Sequence, residues 1–322
     1  MPETSTLQFD GRLTNVAIEY TNPEYIADLV LPVIPTTRKN GTFKQFTKDE
    51  RFTVPDTLVG PKSDPNEIDW SVDDVTFACK DHALEEFVSN EDIDNAESPI
   101  QPLAKGTERV MDAVMMRKEK RIADAIFLTT NYGASNQVDI EGGWATLSDD
   151  ALTDIITGID ACFVPPNVMV MGLPTWRKLQ RNATILAAVK GTLKEQTIKT
   201  PGGLARPTVN VQELAEYLGL DAVLIGRAKI NTAKKGQTAT YAPIWDGTTA
   251  TKGGAALLRV KQGAVIGDVV WGAQFTWKKA QTFTYDTKKG AYGGKYVRVV
   301  ETTVEKVIAT DVGYLFKDVL AT

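Results

Sequence analysis

The chain has 322 residues, 43% of them hydrophobic and 24% charged, as in ordinary folded domains. That balance excludes a disordered tail, a collagen-like fibre and a disulfide-stapled miniprotein. Thirty-six basic and 41 acidic residues leave a net charge of −5, which argues against a nucleic-acid binder held by bulk positive charge.

No apolar run of about 18 residues is present to span a membrane. The opening MPETSTLQFDGRL lacks the basic start and apolar centre of a signal peptide. Cys79 and Cys162 are expected as buried thiols rather than a disulfide. With one histidine, His82, a two-histidine metal site and a HExxH motif are excluded. His82 lies between a strand-like and a helix-like stretch (CKDHALEEF) and reads as a partly buried junction residue. No GxxxxGK[ST] phosphate loop occurs, and Gly202-Gly203, Gly253-Gly254 and Gly293-Gly294 read as turns. Counted from Asp92, the sixth position of a calcium loop would be Glu97 and the twelfth Leu103, so that geometry fails and helix-capping carboxylates account for Asn90–Asp94. The residues therefore point to no catalytic centre, no cofactor and no metal.

In chain order, residues 1–36 read as an arm. Its one helix is expected to start at Asn22-Pro23 and to stop before Leu31-Pro32. From about 37 to 80 the apolar residues alternate. Phe46, Phe52 and Val54 share a face with Lys44, Lys48 and Glu50; on the returning strand Ile68, Trp70 and Val72 share another. After Asp73-Asp74 the apolar set resumes one position later (Val75, Phe77, Cys79), which predicts a bulge or bend. A two-stranded arm of that length is marginal alone and needs a surface to lie on, whether its own core or a neighbour.

Ser98 to about Thr130 reads as one long helix, with Val110, Met111, Val114, Met115, Ile122 and Ile126 recurring on one face as core. Between about 147 and 265, helices at Ala151–Cys162, Pro174–Gln180, Ile185–Val189 and Val211–Leu218 alternate with buried strands at Val168–Met171 and Ala222–Ile225. Asn231–Gly254 reads as a polar loop with an apolar plug at Ile244-Trp245. The remainder is β-rich, with Val269, Trp271, Ala273, Phe275 and Trp277 lining one strand and a second long strand over Lys295–Ile308. The fold class is α+β.

The order of these elements resembles the major capsid proteins of tailed bacteriophages, the Hong Kong ninety-seven type of shell subunit. The likeness is strongest in Asn22-Pro23-Glu24-Tyr25-Ile26-Ala27 with its LPVIP continuation, in Ala83–Val88 before Asp92-Ile93-Asp94, and in Asn231–Trp245. The resemblance implies an N-terminal arm (1–36), an extended loop (37–80), a peripheral domain (81–146 and 266–322, with a spine helix at about 98–130) and an axial domain (147–265). It implies hexamers and pentamers of the chain itself closing an icosahedral or prolate shell around double-stranded DNA without reading its sequence. The virion capsid would be assembled in the host cytoplasm together with a portal and a decoration protein. On this reading Phe46, Phe52, Ile68, Trp70 and Val72 touch the next subunit. Lys44, Lys48 and Arg51 either pair with acidic groups across the interface or form a solvated strand face.

Two departures from some relatives matter. Only a short arm precedes the extended loop, so a separate scaffolding protein and little processing are expected. No asparagine follows Asn231, so the lysine–asparagine isopeptide bond found in some relatives has no acceptor in the closing strands. An encapsulin-like nanocompartment shell is the alternative reading, with a soluble α/β enzyme or a tail or decoration protein more distant.

Overall fold

The structure is a computed structural model. It describes residues 7–20, 22–46, 54, 56–59, 64, 67, 72–97, 100–146, 148–192, 208–234, 236–247, 252–264 and 268–320, with 44–46, 72, 73 and 190–192 described for the backbone alone.

Strand β1 (Gln8–Phe9) leads into helix α1 (Gly11–Glu19), an element the sequence did not suggest. Asp10 caps it by accepting from the Arg12 and Leu13 N–H groups at 3.0 and 3.1 Å. Its buried stripe is only Leu13, Thr14 and Ala17, too short to register as a period. Helix α2 (Ala27–Val30) starts later than the expected Asn22-Pro23. Asn22 instead accepts the Glu24 N–H in a local turn. Strand β2 (Val33–Pro35) ends the arm.

Strands β3 (Asn40–Phe46) and β4 (Val72–Ala78) form an antiparallel ribbon, and β5 (Lys80–Ser89) re-enters the body. The Ala83–Val88 stretch, expected to be helix-like, is therefore strand. It lies within a ten-pair ladder that joins Lys80–Ser89 to Gly294–Thr303, and Glu85 and Phe87 meet Arg298 and Tyr296 across it. Such pairing outweighs the weak helical preference of Ala, Leu and Glu. Ser89 caps helix α3 (Asn90–Asp94) by accepting the Asp92 N–H.

The spine helix α4 (Pro102–Ile126) has 25 residues, about 37 Å at 1.5 Å per residue. It begins at Pro102, a position that needs no N–H donor, rather than at Ser98, and it stops at Ile126, short of Thr130. Ser98 and Pro99 lie outside the described residues. Val110, Val114, Ile122 and Ile126 are buried as the stripe predicts, while Met111 and Met115 are half-buried.

Beyond it come β6 (Gln137–Asp139), α5 (Ala151–Ala161), β7 (Val168–Gly172), α6 (Leu173–Leu179), α7 (Ala183–Thr192), α8 (Val211–Leu218) and β8 (Ala222–Gly226). A capping box of Asn210 and Glu213 opens α8, and Gly219, at φ 69°, closes it in the left-handed conformation that glycine adopts without strain. A short ribbon, β9 (Lys229–Asn231) with β10 (Tyr241–Pro243), precedes β11 (Gly254–Leu258), β12 (Gly272–Thr287), β13 (Gly294–Val307) and β14 (Gly313–Lys317).

Two five-stranded sheets result. The first runs β1-β12-β13-β5, with β2 parallel to β12, and α1 and α4 lie against it. The second runs β6-β14-β11-β7-β8. Strand β14 sits inside the second sheet between β6 and β11, so the segments 137–139 and 313–317, within the ranges that the resemblance gives to the peripheral domain, pair with the strands of the α/β module. One core joins the arm, the end of α4 and Ile244-Trp245; another fills the α/β module.

Candidate functional site

Strands β3 and β4 pair one to one from Asn40↔Ala78 to Phe46↔Val72. The bulge expected near Asp73-Asp74 is therefore absent from this ladder; register shifts occur in β12 instead, between Thr276 and Lys278 and between Lys278 and Gln281. What changes along the ribbon is the side that carries apolar residues. At the root, Phe43 and Phe77 stack on Phe275 of β12, with ring centroids 5.3 and 4.7 Å apart. Gly41 permits this approach, because a Cβ there would lie 2.8 Å from the Phe77 ring. Further out, the pleat puts positions 44, 46, 72 and 74 on the opposite side from 43, 75 and 77. Beyond the ribbon Val54 and Leu58 are 90% and 86% exposed. Of the predicted contact residues, Lys44, Phe46 and Val72 are placed at the outer end of the ribbon, with Phe46 opposite Val72 and Lys44 opposite Asp74. Lys48, Arg51, Phe52, Ile68 and Trp70 lie outside the described residues.

The ribbon's root is tied down by polar contacts as well. Lys39 Nζ meets Asp81 Oδ2 at 2.5 Å, and Thr302 donates to the other oxygen of that carboxylate at 2.8 Å. These donors hold the Asp81 pKa below its usual value. Cys79 is buried beside Phe275, and burial raises its thiol pKa.

Two charged residues of α4 are buried, and the sequence reading missed both. Lys118 bridges Asp28 of α2 (2.6 Å) and Glu301 of β13 (3.5 Å). Burial works against its ammonium, yet the two carboxylates outweigh that cost and raise its pKa. Glu119 is wholly buried. Its Oε1 accepts from the Ile26 N–H at 3.0 Å and the Trp245 indole N–H at 2.6 Å; its Oε2 accepts from the Ala27 N–H at 2.9 Å. The carboxylate thus caps α2 from a distance. Burial raises its pKa, and the three donors oppose that rise. A signal for Lys118 was present: it lies four residues from both Val114 and Ile122, inside the apolar stripe.

Trp245 is itself wedged in place. A Cβ at Gly226 would come within 2.0 Å of its ring, and one at Gly172 within 2.1 Å of its carbonyl oxygen, so the ends of β8 and β7 require glycine there. Phe127 meets the indole edge-on at 6.2 Å. The apolar plug of the sequence reading is a buried joint between the α/β sheet, the spine helix and the arm.

His82, on β5, is half-buried, and burial lowers its pKa, with Arg121 adding to the effect. Cys79 and Cys162 are free and buried. Among the described residues, no three His, Cys, Asp or Glu side chains are grouped to hold a metal ion, and no helix is long and apolar enough to cross a membrane.

Among solved structures, the phage-related protein of Bordetella bronchiseptica RB50 matches with a TM-score of 0.74, covering 98% of this chain and 99% of that one at 17% identity. The SrpI encapsulin of Synechococcus elongatus PCC 7942 matches at 0.54, covering 94% and 89% at 12% identity. An arm, an extended ribbon, a spine helix against a long-stranded sheet and a separate α/β module are the Hong Kong ninety-seven type capsid fold, and that is the fold class of this chain. Sequence narrows the class: the major capsid protein of Pseudomonas phage JBD67 is 32% identical over 315 residues, 97% of each chain. The chain belongs to the major capsid proteins of bacteriophages. No family profile matches it.

Proposed function

We propose that copies of this chain join as hexamers and pentamers into the icosahedral or prolate shell of a tailed bacteriophage around double-stranded DNA, and that segment 37–80 lies across a neighbouring copy. One observation carries the second part: the apolar side of the ribbon changes without a bulge. Its root rests on the chain's own Phe275, whereas its outer part turns the Phe46 and Val72 positions away from that support. Apolar surface so presented gains burial from a second copy. Phe46, Phe52, Ile68, Trp70 and Val72 form the contact, and Lys44, Lys48 and Arg51 flank it. The first sheet with α4 acts as the peripheral domain and the second sheet as the axial domain. The net charge of −5 suits a wall from which DNA must slide freely. A separate scaffolding protein, a portal and a decoration protein complete the assembly in the host cytoplasm, and subunits lock without covalent links.

Trp70→Asp tests the contact. The variant should keep native circular dichroism and protease protection of residues 100–320 yet form no particles in electron micrographs. Normal shells from this variant would overturn the assignment. The nanocompartment alternative shares the fold, and the phage relative weighs against it. Purified virions carrying nuclease-protected double-stranded DNA decide for the phage shell; DNA-free particles filled with enzyme decide against it.

A further inference from the structure

We propose that Glu119 couples the N-terminal arm to the axial plug, so that α2 and Trp245 are held on, or released from, the spine helix together. The coupling begins with the sharing of one oxygen. Oε1 of Glu119 accepts from an arm amide, Ile26, and from the Trp245 indole, while Oε2 takes the next arm amide, Ala27. A buried carboxylate is tolerated only while donors compensate its charge. Removing the indole leaves the same charge on two donors, and removing the arm leaves it on one. Either loss favours hydration or protonation of the carboxyl, which in turn weakens its hold on the remaining partner.

Each end of this link is attached to a larger body. Trp245 is clamped by Gly172 and Gly226 at the ends of β7 and β8, so a displacement of the second sheet displaces the indole. The arm is tied beyond Glu119 through Asp28, which meets Lys118, and through Gln274, which donates to Asp28 Oδ1 (2.9 Å) and the Leu31 carbonyl (2.6 Å). Ile26, Ala27, Val30, Leu31 and Trp245 also share one apolar core. The residues that connect arm and plug lie more than 200 positions apart and meet on one side chain of α4. A shift of the axial module relative to α4 is thereby transmitted to the arm through the shared carboxylate.

Hydrogen–deuterium exchange on assembled particles of the full chain measures this, using peptides covering 22–31 and 241–247. Trp245→Phe removes the indole donor and keeps most of the ring. The expected result is exchange of the Ile26 and Ala27 amides faster by ten-fold or more, in a segment that the substitution does not touch. Glu119→Gln, which keeps one acceptor and turns an NH2 group toward an amide donor, should accelerate exchange in both peptides. In the Glu119→Gln background, Trp245→Phe should add less than two-fold to the arm. If Trp245→Phe loosens 241–247 while the arm keeps its wild-type rate, or if the two substitutions act additively on the arm, the coupling is refuted. Should Trp245→Phe fail to form particles, the Glu119→Gln chain alone decides: acceleration confined to one peptide overturns the proposal. Particle formation is scored separately, so failure of the shell reading is distinguishable from failure of the coupling.

Discussion

Replacing Lys118 by Met removes a cation that is 8% exposed and that faces two carboxylates. The two respond differently. Asp28, with its side chain 54% exposed, can turn to water, whereas the Glu301 side chain is 9% exposed and keeps its charge in the interior. Breaking a buried ion pair by removing one partner costs about 3–5 kcal/mol. Because half of this site can rehydrate, the lower end applies, ~3 kcal/mol, or a more than hundred-fold change in the folded-to-unfolded ratio. Replacing both residues, in Lys118→Met/Glu301→Gln, removes the stranded charge and should recover at least ~1.5 kcal/mol. Urea unfolding of dilute, unassembled subunits followed by far-ultraviolet circular dichroism measures both variants. A Lys118→Met chain within about 1 kcal/mol of wild type, or a double variant weaker than the single, would show that the charge is not stranded as the distances imply.

Further tests address neighbouring features. Because burial raises the Glu119 pKa above its ordinary 4.5, the folded state binds this proton more tightly than the unfolded state. Its contribution to stability therefore grows as pH falls from neutrality toward 4.5, so on going from pH 7 to 4.5 Glu119→Gln should gain less stability, or lose more, than wild type; equal changes would contradict the assignment. Gly226→Ala forces a methyl into the Trp245 ring and should cost about 2 kcal/mol by overpacking, read as a lower melting temperature; an unchanged midpoint would mean the joint is looser than described. With no asparagine after Asn231 to accept a lysine, mature particles boiled in detergent should run as a single monomer band, and a ladder of multimers would refute non-covalent locking.

Much of the α/β module was legible because its signals are local. The Asn210–Glu213 box and Gly219 mark both ends of α8, and Val168–Met171 is an unbroken apolar run of strand length. The stripe of α4 was equally plain, down to the burial of Val110, Val114, Ile122 and Ile126. What escaped depended on partners far away in sequence. The burial of the charges at 118 and 119 had no local signature as a pair, because Asp28, Glu301, Ile26 and Trp245, which satisfy them, lie 90 to 183 positions distant. Ala83–Val88 looked helical because nothing local announces the ladder with β13. The change of side along the ribbon was visible as a slip in the apolar pattern. A bulge and a change of supporting surface give the same pattern, and only the register separates them.

The pairing of β2 with β12 also bears on how the chain matures on the ribosome. Val33 waits for Gln274, and Gln8 for Thr284. At about 5–20 residues per second, some 240 residues of further synthesis take roughly 12–50 s, during which β2 lacks the strand it pairs with. Nascent polypeptides should therefore depend on chaperones over that interval, and ordering of the first 35 residues should be among the last steps before a subunit is competent to polymerise.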